Sequence, residues 1–113
     1  MNKFRNRPRG GFDSRKEERA YHELLLRMRA SIPALRVMLI ERQVRFELLP
    51  RQLDDRGKTI ERAVTYVADF VVTYADGHRE VIDVKSTVTR KLPAYVLKRK
   101  LMLFMHKLRV VEI

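Results

Sequence analysis

The sequence contains no cysteine, and acidic residues are scarce: 14 Asp plus Glu stand against 25 Lys plus Arg in 113 residues. Without cysteine there is no disulfide framework, no thiolate metal site and no cysteine nucleophile, which fits a cytoplasmic protein. No apolar run approaches the roughly 20 residues that a membrane span requires. The N-terminus lacks the apolar stretch of a signal peptide, so neither membrane insertion nor export is expected. The shortage of acid leaves a net charge of +11 and an isoelectric point near 10.6. That balance points to a polyanionic partner, nucleic acid before an anionic membrane surface. Hydrophobic residues make up 45%, enough to form a core, and the length suits one domain.

Residues 1–11 combine four cations with two glycines and show no periodicity, so they read as a basic arm. Residues 12–113 read as the single domain. A first helix is expected from Asp13 or Ser14 to about Ala30, with Ala20, Tyr21, Leu24, Leu25 and Met28 forming an apolar stripe. Pro33 breaks that pattern and leaves Leu35 to Ile40 ambiguous between helix and strand. Alternation over Gln43 to Leu49 predicts a strand with Val44, Phe46 and Leu48 on one face, and Asp54 to Lys58 reads as a turn. Thr65 to Tyr74 and Arg79 to Ser86 read as two further strands. Pro93 suits the first turn of a second helix reaching about His106. Leu97, Leu101, Phe104 and Leu108 share one face of it, with Tyr95, Arg99 and His106 opposite. Val110 to Ile113 closes the chain as a short strand. The order is helix, three strands, helix, strand: an α/β chain.

Asp69, Asp83 and Lys85 carry the most information. Aspartate is disfavoured within strands, yet Tyr66-Val67-Ala68-Asp69-Phe70 and Val81-Ile82-Asp83-Val84-Lys85-Ser86 each place one among apolar residues. The intervening turn decides whether the carboxylates meet. A two-residue Asp76-Gly77 turn would pair Ala75 with His78 and send the aspartates to opposite faces. A three-residue loop ending on a left-handed Gly77 pairs Tyr74 with His78 and sets Asp69 across from Asp83, with Lys85 on the same face. The second register is favoured, because Gly77 suits a type I turn followed by a bulge. Like charges opposite one another destabilise a sheet, and a hard divalent cation between them, Mg²⁺ or Mn²⁺, would reverse that. A nearby lysine could orient or deprotonate a water and offset charge on a phosphate. The alternative is an exposed sheet edge on which Lys85 pairs with one aspartate.

Glu17 is a fourth candidate. Ser14-Arg15-Lys16-Glu17 has capping-box spacing, a cap worth about 1 kcal/mol. Glu17 also falls near the centre of the apolar stripe, from which a carboxylate could reach toward a metal. Both roles stay open, with Glu18 in reserve. His22, His78 and His106 are too scattered for a metal cluster and read as surface or packing residues.

Asp69, a hairpin and then Asp83-Val84-Lys85 resemble the PD-(D/E)XK nuclease pattern. Phe12-Asp13-Ser14-Arg15-Lys16-Glu17 and the two aspartate segments also resemble a family of small phage-encoded proteins, DUF1064, over roughly residues 12–108. That resemblance implies a restriction-endonuclease-like αβββαβ core with a mixed sheet flanked by helices. It implies a Mg²⁺ ion on Asp69, Asp83 and the Val84 carbonyl, Glu17 acting through the metal or its water, and Lys85 positioning the attacking water. Ala68 stands where the superfamily name has proline. Small members include Holliday junction resolvases, nicking enzymes and subunits of larger machines, and a phage-encoded member would act in the bacterial cytoplasm.

The cations agree with a nucleic-acid partner. Lys91, Lys98, Arg99, Lys100 and Lys107 occur without an acid between Lys91 and Lys107, and Arg5, Arg7 and Arg9 lie in the arm. Such residues would hold phosphates without reading sequence. The expectation is therefore a Mg²⁺-dependent DNA endonuclease, preferring branched or four-way junctions. It would work as a homodimer that brings two sites to two strands, with neither a membrane nor a small-molecule cofactor. The alternatives are a non-catalytic or partner-dependent nucleic-acid-binding protein and a nicking or restriction-type nuclease on duplex DNA.

Overall fold

The computed structural model describes Phe12 and residues 14–113. Helix α1 spans Arg15–Leu26. Ser14, in extended backbone, starts it by accepting the Glu17 N–H at 3.1 Å, and Glu17 and Glu18 place negative charge at the positive helix end. Regular helix stops short of Ala30, because Arg27–Arg29 tighten into a 3-10 turn and Ala30 is extended. Arg36 fastens this exit by donating to the Ala30 and Ser31 carbonyls, both at 3.3 Å. Of the expected stripe, Ala20 and Leu24 are buried while Met28 is 39% exposed.

The ambiguous segment resolves as strand. β1 runs from Val37 to Leu49, beginning six residues before the alternation alone predicts. β2 (Gln52–Leu53) and β3 (Thr59–Glu61) form a small hairpin that the sequence reading lacks. Its turn is the expected Asp54–Lys58 segment, where the Asp54 carboxylate accepts the Arg56 and Lys58 N–H groups, both at 2.9 Å.

β4 (Val64–Tyr74) and β5 (Arg79–Asp83) form the central hairpin. Tyr74 N–H donates to His78 O and Gly77 N–H to Tyr74 O, both at 2.9 Å, with Gly77 at φ +95°. This is the three-residue loop, in which glycine adopts the left-handed conformation without a Cβ penalty. β5 ends at Asp83, three residues before expected. Ser86 turns the chain instead: its side chain accepts the Thr89 N–H at 3.1 Å and starts the 3-10 turn Thr89–Lys91. Helix α2 spans Pro93–His106, with proline in the first turn and Lys107, at φ 59°, as its left-handed C-cap.

β6 (Val110–Glu112) lies parallel to β5, pairing Val81 with Val110, Ile82 with Val111 and Asp83 with Glu112. The fold is therefore α/β: a mixed four-stranded sheet ordered β1-β4-β5-β6, the two-stranded β2-β3 sheet, and two α-helices. Among the described residues no helix is long and apolar enough to cross a membrane.

The chain gathers into two compact units. One takes residues up to Ile40 together with Val72–Arg79; the other takes Glu41–Val71 and Glu80–Ile113. In the second, Phe46 and Leu48 of β1, Tyr66, Ala68 and Val71 of β4, Val81, Val110 and α2 residues Tyr95 and Met102 form one core. Met102 is fully buried, and truncating such a side chain to alanine costs about 2–5 kcal/mol. Only part of the leucine face of α2 packs inward: Leu101 and Leu108 are half-buried against this core. Tyr95 and Met102 are buried while Leu97 is 58% and Phe104 70% exposed. Tyr95 finds a polar partner as it is buried, its hydroxyl donating to Glu112 Oε2 at 2.6 Å.

Candidate metal and phosphate site

Asp69 and Asp83 come together within the second unit. Backbone Asp69 N–H donates to Asp83 Oδ1 at 3.2 Å, and Val84 N–H donates to Asp69 Oδ2 at 2.8 Å. Lys85 Nζ lies 3.1 Å from Asp83 Oδ2. The hairpin register and the early end of β5 cause this arrangement, because the chain leaving the strand aims the Val84 N–H at Asp69. The Val84 contact described here is thus made through its N–H group. The exposed-edge alternative does not describe Asp83, whose side chain is fully buried.

Two residues outside the sequence-derived set complete the grip. The Tyr66 hydroxyl donates to Asp83 Oδ2, and Gln43 Nε2 donates to Asp69 Oδ1 at 3.3 Å. Tyr66 carries no sequence signal beyond that of a strand aromatic. Gln43 takes a polar position of the alternation, with Arg45 and Glu47, and carries no sequence signal of its own.

Burial dominates the electrostatics. It pushes Asp69 from the ordinary 3.8 up to about 6, the Asp83 carboxylate adding to the rise while Val84 N–H and Lys85 oppose it. Burial, followed by donation to Asp83, also raises the Tyr66 phenol well above the ordinary tyrosine range, so Tyr66 remains a proton donor. Two carboxylates with one lysine between them form a hard-oxygen donor set short of positive charge, which suits a divalent cation. Among the described residues no three His, Asp or Glu side chains gather closely enough to share a metal ion. A cation on this pair would fill its shell with backbone oxygens, water or substrate oxygens.

Glu17 lies in the first unit and is 3% exposed. The cap half of its expected box is present, with Ser14 Oγ holding the Glu17 N–H at 3.1 Å.

A second charged cluster neighbours the aspartates. Glu112, the β6 register partner of Asp83, accepts from Tyr95 and from Arg99 Nη1 at 3.4 Å, with Arg90 Nε at 4.0 Å. These bonds, Tyr95 first, hold the Glu112 carboxyl below its ordinary range. Lys85 Nζ lies 5.3 Å from the centre of the Tyr95 ring, so Tyr95 links the two clusters. A cleft of about 360 Å³ opens beside them, lined by Arg99, Lys100, Leu103, Arg109, Val110 and Glu112. Three cations against one acid give it a positive wall.

Of the expected phosphate contacts, Lys91, Lys100 and Lys107 are exposed, and Lys98 and Arg99 half-buried. Arg5, Arg7 and Arg9 lie outside the described residues. The histidines serve locally: His78 stacks on Tyr74 at 4.3 Å, His106 Nε2 lies 2.7 Å from Glu47 O, and His22 meets Tyr21 edge-on at 5.9 Å.

No curated protein and no solved structure matches the chain. Residues 8–113 match DUF1064, described as a protein of unknown function. The match takes in both aspartates, Lys85, Glu17 and the Tyr95–Glu112 cluster, and the chain belongs to the DUF1064 family.

Proposed function

We propose that this protein is a Mg²⁺-dependent DNA endonuclease of the PD-(D/E)XK type, acting on branched or four-way DNA. The observation that carries the reading is the joining of Asp69, Asp83 and Lys85 by the 3.2, 2.8 and 3.1 Å contacts at the end of the β4–β5 hairpin. Asp69 and Asp83 would hold the cation, with Mn²⁺ able to replace Mg²⁺. The bound ion would supply Lewis-acid stabilisation of the phosphoryl oxygens and a water of lowered pKa. Lys85, held by Asp83 and walled by the Tyr95 ring, would orient the attacking water and offset charge on the phosphate. Val84 N–H and Gln43 fix the Asp69 carboxylate, while Tyr66 fixes that of Asp83.

Lys91, Lys98, Lys100 and Lys107, with Arg99 on the cleft wall, would hold neighbouring phosphates, as would Arg5, Arg7 and Arg9. These contacts favour recognition by shape over sequence. Two paired strand cuts would need two copies of this small chain. Sedimentation of the protein bound to a junction tests that requirement, and a monomer making paired cuts would overturn it.

The decisive experiment compares an end-labelled four-way junction with its matched linear duplex, in Mg²⁺ and in EDTA. Paired, Mg²⁺-dependent cuts in the junction alone are expected. Equal cutting of both substrates would make the protein a duplex nuclease of the nicking or restriction type. One observation favours a second reading, in which the chain binds nucleic acid without cutting it or cuts only beside a partner. All four oxygens of Asp69 and Asp83 already accept protein donors, so the pair can also serve as an internal hydrogen-bonded strut. Salt-sensitive binding, no cleavage in either buffer and indifference to Asp69→Asn would establish that reading.

A further inference from the structure

Gln43 stands in the middle of β1, yet its φ is +51°. For a residue with a Cβ the left-handed region is strained, and a chain retains such strain where the surroundings require it. Among the described residues the other non-glycine positive φ belongs to Lys107. There the conformation ends α2 and is what a helix C-cap uses. Gln43 ends nothing, since strand continues on both sides of it. A left-handed residue inside a strand re-aims its side chain, as bulges do beside functional sites.

The side chain so aimed meets Asp69. Its Nε2 donates to Oδ1 at 3.3 Å, while Val84 N–H holds Oδ2 at 2.8 Å. Gripped from β1 on one side and from the exit of β5 on the other, the carboxylate is fixed in rotation. Nitrogen must face the carboxylate, so the amide oxygen points elsewhere and stays an acceptor.

We infer that Gln43 is a positioning residue of the cation site, its strained backbone retained because it aims the side-chain amide at Asp69. This rests on the reading of Asp69 and Asp83 as ligands of a divalent cation. Groups that orient metal-binding carboxylates are worth about 10-fold or more in affinity when removed.

The test uses the full chain, with Mn²⁺ titrated by electron paramagnetic resonance and stability read from urea denaturation. Gln43→Gly removes the amide and relieves the backbone, whereas Gln43→Ala removes the amide and keeps the strain. Both are expected to weaken Mn²⁺ binding about 10-fold. Gln43→Gly is expected to keep or raise the urea midpoint of the natural chain, with Gln43→Ala below Gln43→Gly. Equal Mn²⁺ affinity in the natural chain and Gln43→Gly would overturn the inference and leave the cation site standing. A Gln43→Gly protein less stable than the natural chain would make Gln43 a structural residue and overturn it too. Absence of Mn²⁺ binding by the natural chain would remove the cation site and this inference together.

Discussion

Two tyrosine hydroxyls, on β4 and α2, donate to two carboxylates on neighbouring strands, yet the two arrangements differ in charge. Tyr66 meets Asp83, which is fully buried and shares its surroundings with Asp69 and Lys85. Tyr95 meets Glu112, which has Arg99 and Arg90 beside it and a side chain 18% exposed. The first cluster holds two carboxylates and one lysine, the second one carboxylate and two arginines. Their acids shift in opposite directions, Asp69 upward and Glu112 downward. By side-chain count the first place carries one more acid than base and the second one more base than acid, while burial is the main reason that Asp69 shifts upward. For a protein proposed to act on a phosphodiester, adjoining deficits of opposite sign are informative. Under the proposed function a cation would be drawn to the first and a phosphate to the second, whereas a balanced pair of ion pairs would attract neither.

The largest expected effect separates chemistry from structure. Asp69→Asn is expected to lower the rate of Mg²⁺-dependent junction cleavage by about 100-fold or more while leaving the urea midpoint near that of the natural chain. Lys85→Ala is expected to lower the rate as much but also the midpoint, because it leaves buried Asp83 without its cation. Equal cleavage by Lys85→Ala would move Lys85 from the reaction to the fold. Next in size is Asp83→Ala. It strands Tyr66, Lys85 and the Asp69 N–H in a buried place, and urea denaturation should read a loss of about 3–5 kcal/mol.

The tyrosines test the comparison directly. Tyr66→Phe removes a donor from a fully buried carboxylate and should cost about 1–3 kcal/mol. Tyr95→Phe leaves Glu112 its arginines and some solvent, so its cost should be about 1 kcal/mol or less. Equal costs would show that the deeper burial of Asp83 does not distinguish the two places.

The smallest effect is in pH. With its folded value raised from 3.8 to about 6, Asp69 favours the fold most while protonated. Its contribution is fully present below the unfolded value and is lost as pH rises through the folded one. Glu112, depressed, contributes above its unfolded value and loses that contribution as pH falls through its folded value. Carboxyl carbon resonances followed by NMR in metal-free protein should show Asp69 titrating near 6 and Glu112 below the usual glutamate range. An Asp69 midpoint at its ordinary value would contradict the burial of its carboxylate that the comparison assumes.

Sequence patterns located what local chemistry specifies. Pro93 placed the start of α2, Gly77 chose the hairpin register, and that register brought Asp69 to Asp83. What remained hidden depends on partners distant in sequence. Nothing local tells Gln43 to adopt positive φ, since glutamine is not a left-handed residue type and its reason, Asp69, lies 26 positions away. The pattern sorts α2 into two faces but does not say that Tyr95 and Met102 are buried while Leu97 and Phe104 are exposed and Leu101 and Leu108 half-buried. The acceptor that the Tyr95 hydroxyl finds lies on β6. Ser86, plausible as the end of a strand, instead accepts the Thr89 N–H of the turn that follows.

Under the proposed function, the complete burial of Asp83 sets an order in which that chemistry could be lost. Lys85, whose side chain is 20% exposed, and Gln43, exposed at the surface, can be exchanged without hollowing the interior. Asp83 cannot, because it has become part of what the strands are fastened to. A descendant relieved of catalysis would drift first at Lys85 and Gln43 and retain the aspartate as a fossil. Within the family, an intact Asp83 by itself is thus a poor guide to activity, and the company it keeps is the better one.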